Sequence, residues 1–488
     1  MTTLADLIYA PLDGRWDALA REALEAFVAE RYPARAKGLH AIRVNGDTSD
    51  DAAPYAALIA PGQPKSGPYG GMSVVLFPRK NGPALVSMVT GTHGLSPDEQ
   101  VLGRPGHARK VAAIARWLNG RAKDLCAWSK RDPVRVDQEL PQATRKLLSE
   151  YPNAVGKYGR EIYGAFVPPP RSVEGDALTR DAFSSFADLF FEERDLEPLS
   201  AHKKSRDELR SAWLANAFVS ASSDDVYALL KQRRFVIVEG PPGVGKTRLA
   251  DGLLRDRYGA HGTSIQFHPG TTYESFVGGL APRSDDGELG LRFVSTPGHL
   301  MRAAAAALAD PTRQYLLHID EINRADLSKV LGEAIYLFEP DSPDRVVTLA
   351  HDFGAPFGRT LRLPPNLHVL GTMNSADRSI AILDVAVRRR FAFVSMWPSA
   401  SVVQASAGPL LRSAFERLFS TFLDHASDDA FALMPGHAYF LGDDAAAARK
   451  LKSELAPLLR EYLAQGYVGG FADEVRAYLD WVEASAGA

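Results

Sequence analysis

The first third of the chain mixes helical and strand patterns. Residues 15–32 ("RWDALAREALEAFVAERY") and 107–120 ("HARKVAAIARWLNG") carry apolar residues at helical spacing, so each predicts an amphipathic helix. Residues 72–92 instead contain two short apolar runs, separated by a turn at Asn81-Gly82. This spacing predicts a hairpin of two strands. The region as a whole is therefore expected to form an α+β domain.

The pattern changes after the proline-rich stretch at residues 166–176 ("FVPPPRSVEGD"), which is typical of a linker because consecutive prolines favour an extended chain. From about residue 231, apolar runs alternate with helical patterns, which indicates a parallel sheet with crossover helices. The last ninety residues or so are predicted to be mostly helical, most clearly at 449–465 despite Pro457. The predicted organisation is an N-terminal α+β domain (1–165), a linker (166–200), an α/β core (201–398) and a helical lid (399–488).

The strongest chemical motif is "RRFVIVEGPPGVGKTRLADGLL" at residues 233–254. Its apolar run predicts a strand, its glycine-rich part fits G-x-x-x-x-G-K-[ST], and an amphipathic helix follows. Glycines allow backbone N–H groups to surround phosphates, Lys246 reaches the β- and γ-phosphates, and the Thr247 hydroxyl is a ligand for Mg²⁺. The residues expected to bind the nucleotide are Gly240, Pro241, Gly243, Val244, Gly245, Lys246, Thr247 and Arg248.

An acidic pair, Asp320-Glu321, ends a second apolar run at residues 315–319. Ligands bind at the carboxyl ends of strands in this class of sheet. Asp320 can hold Mg²⁺ through water, and Glu321 is then placed to polarise the attacking water. The alternative is an acidic pair that caps the next helix. The catalytic role is favoured because the Asp320-Glu321 pair lies at the end of a core strand downstream of the glycine-rich loop.

A third apolar run, "NLHVLGTMN" at residues 366–374, ends in Asn374. An amide at this strand end could bind the attacking water or the γ-phosphate. Three arginines, Arg388, Arg389 and Arg390, come shortly after it. Arginine stabilises the charge that develops during phosphoryl transfer, often from a neighbouring molecule. The alternative for the three arginines is a solvated patch or one that faces nucleic acid.

These elements, in this order, resemble the AAA+ family of P-loop NTPases, whose fold is a parallel sheet flanked by helices with a helical lid. Four further segments are similar to the signatures of the McrB group, the GTPase motors of McrBC modification-dependent restriction systems. The resemblance covers roughly residues 200–470, and Ser375 stands where the group has threonine. The four segments are residues 265–283 ("IQFHPGTTYESFVGGLAPR"), 320–339 ("DEINRADLSKVLGEAIYLFE"), 373–393 ("MNSADRSIAILDVAVRRRFAF") and 435–440 ("PGHAYF").

The resemblance implies a hexameric ring with nucleotide bound between protomers. It assigns phosphate and Mg²⁺ to the glycine-rich loop, the Walker B roles to the acidic pair, and the positioning of water to Asn374. Asp377 and Arg378 belong to a signature loop at the protomer junction. Arg389 is favoured as the arginine that acts in trans, with Arg390 next.

The resemblance also implies a separate McrC-like nuclease subunit as partner, which stimulates hydrolysis. It favours GTP over ATP. The residues themselves do not separate the two nucleotides, because the chain has no N-K-x-D string of the Ras type. The cofactors expected are therefore GTP (or ATP) and Mg²⁺.

In McrB-like proteins the N-terminal domain commonly selects the DNA target. Residues 104–160 are rich in arginine and lysine with interleaved aromatic residues, a combination that holds nucleic acid and flipped bases. The alternative is an ordinary solvated helical surface whose aromatic residues face the core. The candidate DNA contacts are Arg109, Lys110, Arg116, Trp117, Arg121 and Lys123.

Composition limits these interpretations. The 488 residues carry a formal net charge of −3, so any nucleic-acid site must be a local patch. The one cysteine, Cys126, rules out an internal disulfide framework and a cysteine-based zinc site, and it fits a reducing compartment. The N-terminal residues lack a signal-peptide pattern, and no apolar run is long enough to span a membrane. A cytoplasmic protein with no membrane partner is expected.

Three functions are compatible with the sequence. The leading one is an AAA+ NTPase, with GTP favoured, that drives a DNA restriction or phage-defence complex. The second is an ATP-dependent protein remodeller of the MoxR type, with the N-terminal half as an adaptor. The third is a scaffold that binds nucleotide to assemble but hydrolyses it poorly. The presence of Lys246, Asp320, Glu321 and Asn374 argues against the third.

Overall fold

The computed structural model describes residues 3–49, 52–284, 291–376 and 385–485. The chain divides into two compact units. The first comprises Met1–Phe218 together with Leu423–Ser427, and the second comprises Val219–Phe422 and Asp428–Ala488. Among the described residues, no helix combines the length and the apolar character needed to cross a bilayer.

The first unit is built on a 6-stranded antiparallel sheet with the order β1-β2-β3-β4-β6-β5. Its strands are β1 (Ala41–Asn45), β2 (Tyr55–Ile59), β3 (Met72–Phe77), β4 (Leu85–Thr90), β5 (Ala127–Ser129) and β6 (Ile162–Phe166). The predicted hairpin is confirmed as β3 and β4, which pair from Phe77 with Leu85 onward. Gly82 in their turn has a φ of 125°, a conformation that glycine adopts without steric cost.

Helices surround this sheet, and β2, β3, β4 and β6 are buried along their whole length. The two amphipathic patterns of the sequence are confirmed as α2 and α4, and α4 continues past the glycine at position 120. The helices are α1 (Leu4–Ile8), α2 (Trp16–Arg31), α3 (Glu99–Leu102), α4 (Pro105–Arg121), α5 (Gln142–Leu147), α6 (Pro152–Tyr158), α7 (Val173–Glu192) and α8 (Ser200–Leu214), with a 3₁₀ turn at Ala34–Gly38.

The segment expected to be a linker, residues 166–200, differs from that expectation. The prolines end β6, and the Ser172 side chain then accepts a hydrogen bond from the Gly175 N–H and caps α7. Phe183, Phe186 and Phe190 of α7 are fully buried. Apolar residues at helical spacing thus tie this segment to the first unit, whose boundary falls after α8.

The second unit contains a 5-stranded parallel sheet with the order β15-β7-β14-β11-β8. Since all its strands run in the same direction, their carboxyl ends meet at one edge. The strands of this unit are β7 (Phe235–Gly240), β8 (Gly262–Gln266), β9 (Gly278–Ser284), β10 (Leu291–Pro297), β11 (Tyr315–Asp320), β12 (Val347–Thr348), β13 (Thr360–Leu361), β14 (Leu367–Asn374) and β15 (Ala392–Ser395). β9 pairs with β10, and β12 with β13, as separate antiparallel ribbons.

Both faces of the parallel sheet are covered. Phe235 and Ile237 of β7 belong to one apolar cluster, whereas Val236 and Val238 belong to the cluster on the other face. Successive strand residues point to opposite faces, so a strand buried on both sides must be apolar throughout. This explains why the strand before the glycine-rich loop is a continuous apolar run.

The helices that begin in the second unit flank the sheet and form the lid. They are α9 (Ser223–Arg233), α10 (Lys246–Asp256), α11 (Tyr273–Phe276), α12 (His299–Ala309), α13 (Leu327–Leu331), α14 (Val385–Arg388), α15 (Ala400–Ser406), α16 (Pro409–His425), α17 (Asp428–Phe431), α18 (Asp444–Lys450), α19 (Ala456–Ala464) and α20 (Ala472–Ser485). Short 3₁₀ turns lie at Ile322–Arg324, Gly332–Leu337, His437–Phe440 and Gly469–Phe471.

The helix predicted at residues 449–465 is present, but its middle is not α-helical. A π-helical turn at Leu451–Leu455 joins α18 to α19 just before Pro457. Proline has no N–H to donate, and its ring crowds the carbonyl four residues earlier. The wider π turn gives the backbone room at this point, so the helix continues through the proline.

Candidate nucleotide-binding site

The glycine-rich loop joins β7 to α10, as the sequence predicts. Gly243 and Gly245 have φ values of 80° and 87°, in the left-handed region where a side chain would be strained. Gly245 is the residue that immediately precedes α10. The backbone of the loop therefore turns sharply onto the N-terminus of a helix, which is an arrangement suited to bind phosphate.

Lys246 is the first residue of α10 and is only 8% exposed. Its ammonium group donates to the carbonyl oxygens of Gly240 and Pro241, at 2.9 and 2.8 Å. It also donates to Asn374 Oδ1 at 2.7 Å. Oxygen acceptors thus surround the ammonium group at the mouth of the loop, where phosphate oxygens would compete for its hydrogen bonds.

Asp320 ends β11 next to the loop. The Thr247 hydroxyl donates to Asp320 Oδ1 at 3.2 Å, and the Thr372 hydroxyl donates to the same oxygen. Hydroxyl and carboxylate oxygens are the hard ligands that Mg²⁺ prefers, and Mg²⁺ usually keeps several waters and substrate oxygens besides. The residues present therefore fit a magnesium ion bound by Thr247 directly and by Asp320 through water. Thr372 was not among the site residues predicted from the sequence, although its position two residues before Asn374 places it on the same face of β14.

Glu321 follows directly, with a φ of 51° that is uncommon for a residue other than glycine. Asn374 Nδ2 donates to Glu321 Oε1 at 2.6 Å, so the Asn374 amide links the Lys246 ammonium group to this carboxylate. Arg324 Nε lies 3.5 Å from the other Glu321 oxygen. Strained backbone of this kind is concentrated at functional sites, because the surrounding structure must hold it in place.

A cavity of about 320 Å³ lies above these side chains. It brings together most of the residues that the sequence predicted for nucleotide, metal and catalysis. Its lining is Pro242, Gly243, Gly245, Lys246, Thr247, Arg248, Asp320, Glu321, Thr372, Met373, Asn374 and Ala438.

The lid contributes to this cavity through residues 435–440. The Gly436 N–H donates to Pro242 O at 2.9 Å, and the Ala438 N–H donates to Gly243 O at 3.0 Å. A Cβ atom on Gly436 would lie 2.1 Å from the Gly243 carbonyl carbon, so only glycine fits there. Burial, followed by the nearby Arg248 charge, lowers the pKa of His437. The "PGHAYF" segment, noted in the sequence only for its resemblance, is thus a support for the phosphate loop.

The three arginines after the third strand have different environments. Arg388 and Arg389 are exposed, and the Arg388 guanidinium lies 5.3 Å from the centre of the Phe393 ring. Arg390 is only 6% exposed and donates to Ala386 O at 2.9 Å. Exposure favours Arg388 or Arg389, and not Arg390, for a contact with a neighbouring molecule. Asp377 and Arg378 of the signature loop lie outside the described residues, and nearby Ser375 donates from its hydroxyl to Ala432 O at 3.1 Å.

Three of the candidate DNA contacts in the first unit, Arg109, Lys110 and Trp117, are buried. Arg109 is 9% exposed and donates to the carbonyls of Leu423 and Ala426 at 2.7 and 2.9 Å. Lys110 is 4% exposed, and its ammonium group lies 3.2 Å from Glu193. Both cations sit on the inner side of α4 and have protein partners there. The prediction that Arg109 and Lys110 contact DNA is therefore wrong, because the helical period turns part of the basic stretch towards the interior.

The remaining candidate cations on and after α4 are nearer to solvent. Arg116 is exposed and donates to Asn216 O and Ala217 O at 2.7 and 2.8 Å. Trp117 is 8% exposed, with the Arg121 guanidinium 4.9 Å from its ring centre. Arg121 also forms an ion pair with Asp181, and Lys123 is exposed. The surface cations of this group are therefore Arg116, Arg121 and Lys123.

The chain is similar to a known domain family and to two curated restriction-enzyme components. The AAA domain family (dynein-related subfamily) matches residues 235–391. The Type IV methyl-directed restriction enzyme EcoKMcrB subunit of Escherichia coli K12 is 31% identical over 253 residues, which is 47% of this chain and 54% of that protein. The Type II restriction enzyme BsuMI component YdiS of Bacillus subtilis 168 is 26% identical over 189 residues, 32% of this chain and 55% of that protein.

The chain spans about half the length of both curated relatives. Among solved structures, NtrX from Brucella abortus in complex with ATP overlaps with a TM-score of 0.25 at 10% identity, over 61% of this chain and 76% of that one. The AAA match alone includes β7, β11 and β14, the strands whose ends line the cavity. Together with the two restriction-enzyme relatives, that match shows that this part of the chain resembles McrB-like AAA+ proteins.

Proposed function

We propose that the second unit binds a nucleoside triphosphate with Mg²⁺ and hydrolyses its γ-phosphate. The observation that carries the proposal is the hydrogen-bonded line from Lys246 through Asn374 to Glu321 along one wall of the cavity. It joins a phosphate-binding cation to a carboxylate at hydrogen-bond distance through one amide. The spacing suits a water molecule held between the carboxylate and the γ-phosphate.

Each side chain has a defined task in this proposal. The loop N–H groups and Lys246 bind the phosphates, with phosphate oxygens taking over hydrogen bonds that the loop carbonyls now accept. Thr247 and Asp320 would hold Mg²⁺, which neutralises charge on the β- and γ-phosphate oxygens when it is bound. Glu321 accepts a proton from water as the water oxygen attacks the γ-phosphorus atom, and the bond to the β–γ bridging oxygen breaks. Asn374 keeps the Glu321 carboxylate oriented for that transfer.

The relatives support a wider proposal. Because EcoKMcrB is a subunit of a methyl-directed restriction enzyme, we propose that this chain drives a DNA restriction or defence complex with an McrC-like nuclease partner. Guanine is the proposed base, and a hexameric ring is the proposed assembly. In such a ring the exposed Arg389 reaches the nucleotide of the neighbouring protomer.

DNA recognition is proposed for the first unit. Its exposed cations Arg116, Arg121 and Lys123 lie on α4 or just after it, as a local patch on a chain of net charge −3. Cations at such a patch bind phosphate without reading base sequence. Base selection would then depend on other residues of the unit.

A nucleotide panel tests the proposed function. Purified full-length protein should release phosphate from GTP in a Mg²⁺-dependent reaction, and Glu321→Gln should slow the release by about a hundredfold or more while nucleotide still binds. The matched control is Glu461→Gln, a substitution of an exposed carboxylate on α19. Turnover of ATP with no response to GTP would contradict the proposed base. An unchanged rate in Glu321→Gln would contradict the proposed role of that carboxylate.

A further inference from the structure

A line of polar side chains reaches Asp320 from within the parallel sheet. The Ser264 hydroxyl of β8 lies 2.8 Å from His318 Nδ1, and His318 Nε2 lies 3.4 Å from the Thr372 hydroxyl. The Thr372 hydroxyl in turn contacts Asp320 Oδ1. His318 and Thr372 are each 1% exposed, so most of this line is sealed from water.

The register of the strands explains how these side chains meet. His318 is paired with Ser264 across β11 and β8, and Asp320 lies two residues further along β11 on the same face. On β14, Thr372 lies two residues beyond Leu370, which is the residue paired with His318. One face of three adjacent strands therefore carries the line to the cavity edge.

The direction of the hydrogen bonds follows from their end point. A carboxylate oxygen only accepts, so the single Thr372 hydroxyl hydrogen points to Asp320. The Thr372 oxygen must then accept its second bond, and the donor is the His318 Nε2–H group. In a neutral imidazole ring, Nδ1 accepts from the Ser264 hydroxyl. Each donor thus faces one acceptor, and His318 determines which way the Thr372 hydroxyl points.

A histidine at this position needs a physical reason, because its strand neighbours Leu316, Leu317 and Ile319 are apolar and buried. Burying an imidazole costs free energy unless its nitrogens are hydrogen-bonded. We propose that His318 is a positioning residue that acts through Thr372 to hold the Asp320 carboxylate in place for Mg²⁺. This inference rests on the proposed nucleotide site and deepens it. Residues behind a metal ligand commonly affect metal affinity in this way.

The chain offers a matched control in His368. It lies at the amino end of β14 and is 2% exposed. Its Nδ1 atom is 2.6 Å from the Tyr258 hydroxyl. Its replacement also removes a buried, hydrogen-bonded imidazole from the same sheet, but at the end of the strand opposite to the cavity.

The experiment measures the Mg²⁺ concentration for half-maximal binding of a fluorescent, slowly hydrolysed GTP analogue, and separately kcat and KM for GTP. His318→Leu should raise the Mg²⁺ midpoint by about tenfold. His318→Gln should recover most of that loss, because its side-chain N–H can reach Thr372 as the imidazole Nε2–H does. His368→Leu should leave the Mg²⁺ midpoint unchanged even where it lowers the melting temperature.

A double-mutant cycle separates positioning from general packing. Thr372→Val should raise the midpoint as His318→Leu does, and the double variant should lose no more than the larger single loss, because both substitutions break one line. Additive losses, or an equal shift in His368→Leu, would overturn the inference. Wild-type protein that binds nucleotide and Mg²⁺ but never hydrolyses it would refute the proposed function, and the Mg²⁺ midpoints would still decide the role of His318.

Discussion

The two units use buried polar side chains in different ways. In the first unit, Glu193 lies 3.2 Å from Lys110 and 3.6 Å from His107, and all three side chains are at most 7% exposed. In the second unit, Lys246, Asn374 and Glu321 are also hydrogen-bonded to one another, but they line a cavity of about 320 Å³. Charges enclosed by protein partners stabilise a fold, whereas charges that face a cavity are available to a ligand.

The pKa of Glu193 shows how the first unit uses its buried charges. Burial by itself would raise the pKa of Glu193, but the neighbouring His107 side chain and the charge of Lys110 outweigh it and lower that pKa to about 2. A carboxyl group whose pKa falls on folding stabilises the protein above its unfolded value, and this stabilisation is lost as the pH falls towards the folded value. The first unit therefore holds its buried carboxylate ionised for stability.

The largest expected effect is on the cavity side of the comparison. Lys246→Ala should lower the hydrolysis rate by about a thousandfold, because one charge-stabilising donor to the phosphates is lost. The melting temperature should change little in comparison. The control is Lys452→Ala, which removes an exposed lysine of the lid. A near-normal rate in Lys246→Ala would mean that the cavity does not bind the reacting phosphates.

The second prediction concerns the arginines. Arg389→Ala should lower hydrolysis by about a hundredfold without loss of nucleotide binding, because the charge developing in the transition state is no longer neutralised. Mixing Arg389→Ala with Lys246→Ala protein should restore part of the activity. In a mixed ring, Arg389 of a Lys246→Ala subunit reaches the nucleotide bound at the intact phosphate loop of its Arg389→Ala neighbour. Arg390→Ala, at a buried position, should instead lower thermal stability. No recovery in the mixture would contradict action in trans.

The third prediction concerns the cluster of Glu193, Lys110 and His107 in the first unit. Glu193→Gln should lower the free energy of unfolding at pH 7 by about 3 kcal/mol, from the difference between its usual pKa of 4.5 and the folded value of about 2. The deficit should shrink by about 1.4 kcal/mol for each pH unit below 4.5, because wild type then loses the same stabilisation. Urea unfolding between pH 7 and pH 3, followed by tryptophan fluorescence, measures it.

The control for this substitution is Glu22→Gln, which changes an exposed carboxylate on α2. Its unfolding free energy should match wild type at every pH. A Glu193→Gln deficit that stayed constant with pH would show that the cluster contributes through packing alone.

The smallest expected effect concerns DNA. Replacing Lys123 by alanine should weaken duplex binding only a few-fold and reduce the slope of log K against log salt by about 1, as expected for one lost phosphate contact. Lys452→Ala is again the control. The measurement is fluorescence anisotropy at several salt concentrations. An absence of binding to modified and unmodified DNA at low salt would refute DNA recognition by the first unit.

The sequence by itself determined the elements that depend on neighbouring residues. The glycine-rich loop between a strand and a helix, the acidic pair at a strand end, and Asn374 at another strand end were all predictable. Each is a short motif preceded by an apolar run, and a strand or helix pattern is encoded over a few residues. The hairpin of β3 and β4 was predictable for the same reason.

Only the tertiary structure decided which of these side chains meet. The strand order β15-β7-β14-β11-β8 brings Asn374 between Lys246 and Glu321, and no local pattern encodes that order. The same holds for the burial of Arg109 and Lys110, which the sequence could not separate from the exposed cations of α4. Contacts between residues distant along the chain depend on how whole elements pack, and a local pattern carries no record of that packing.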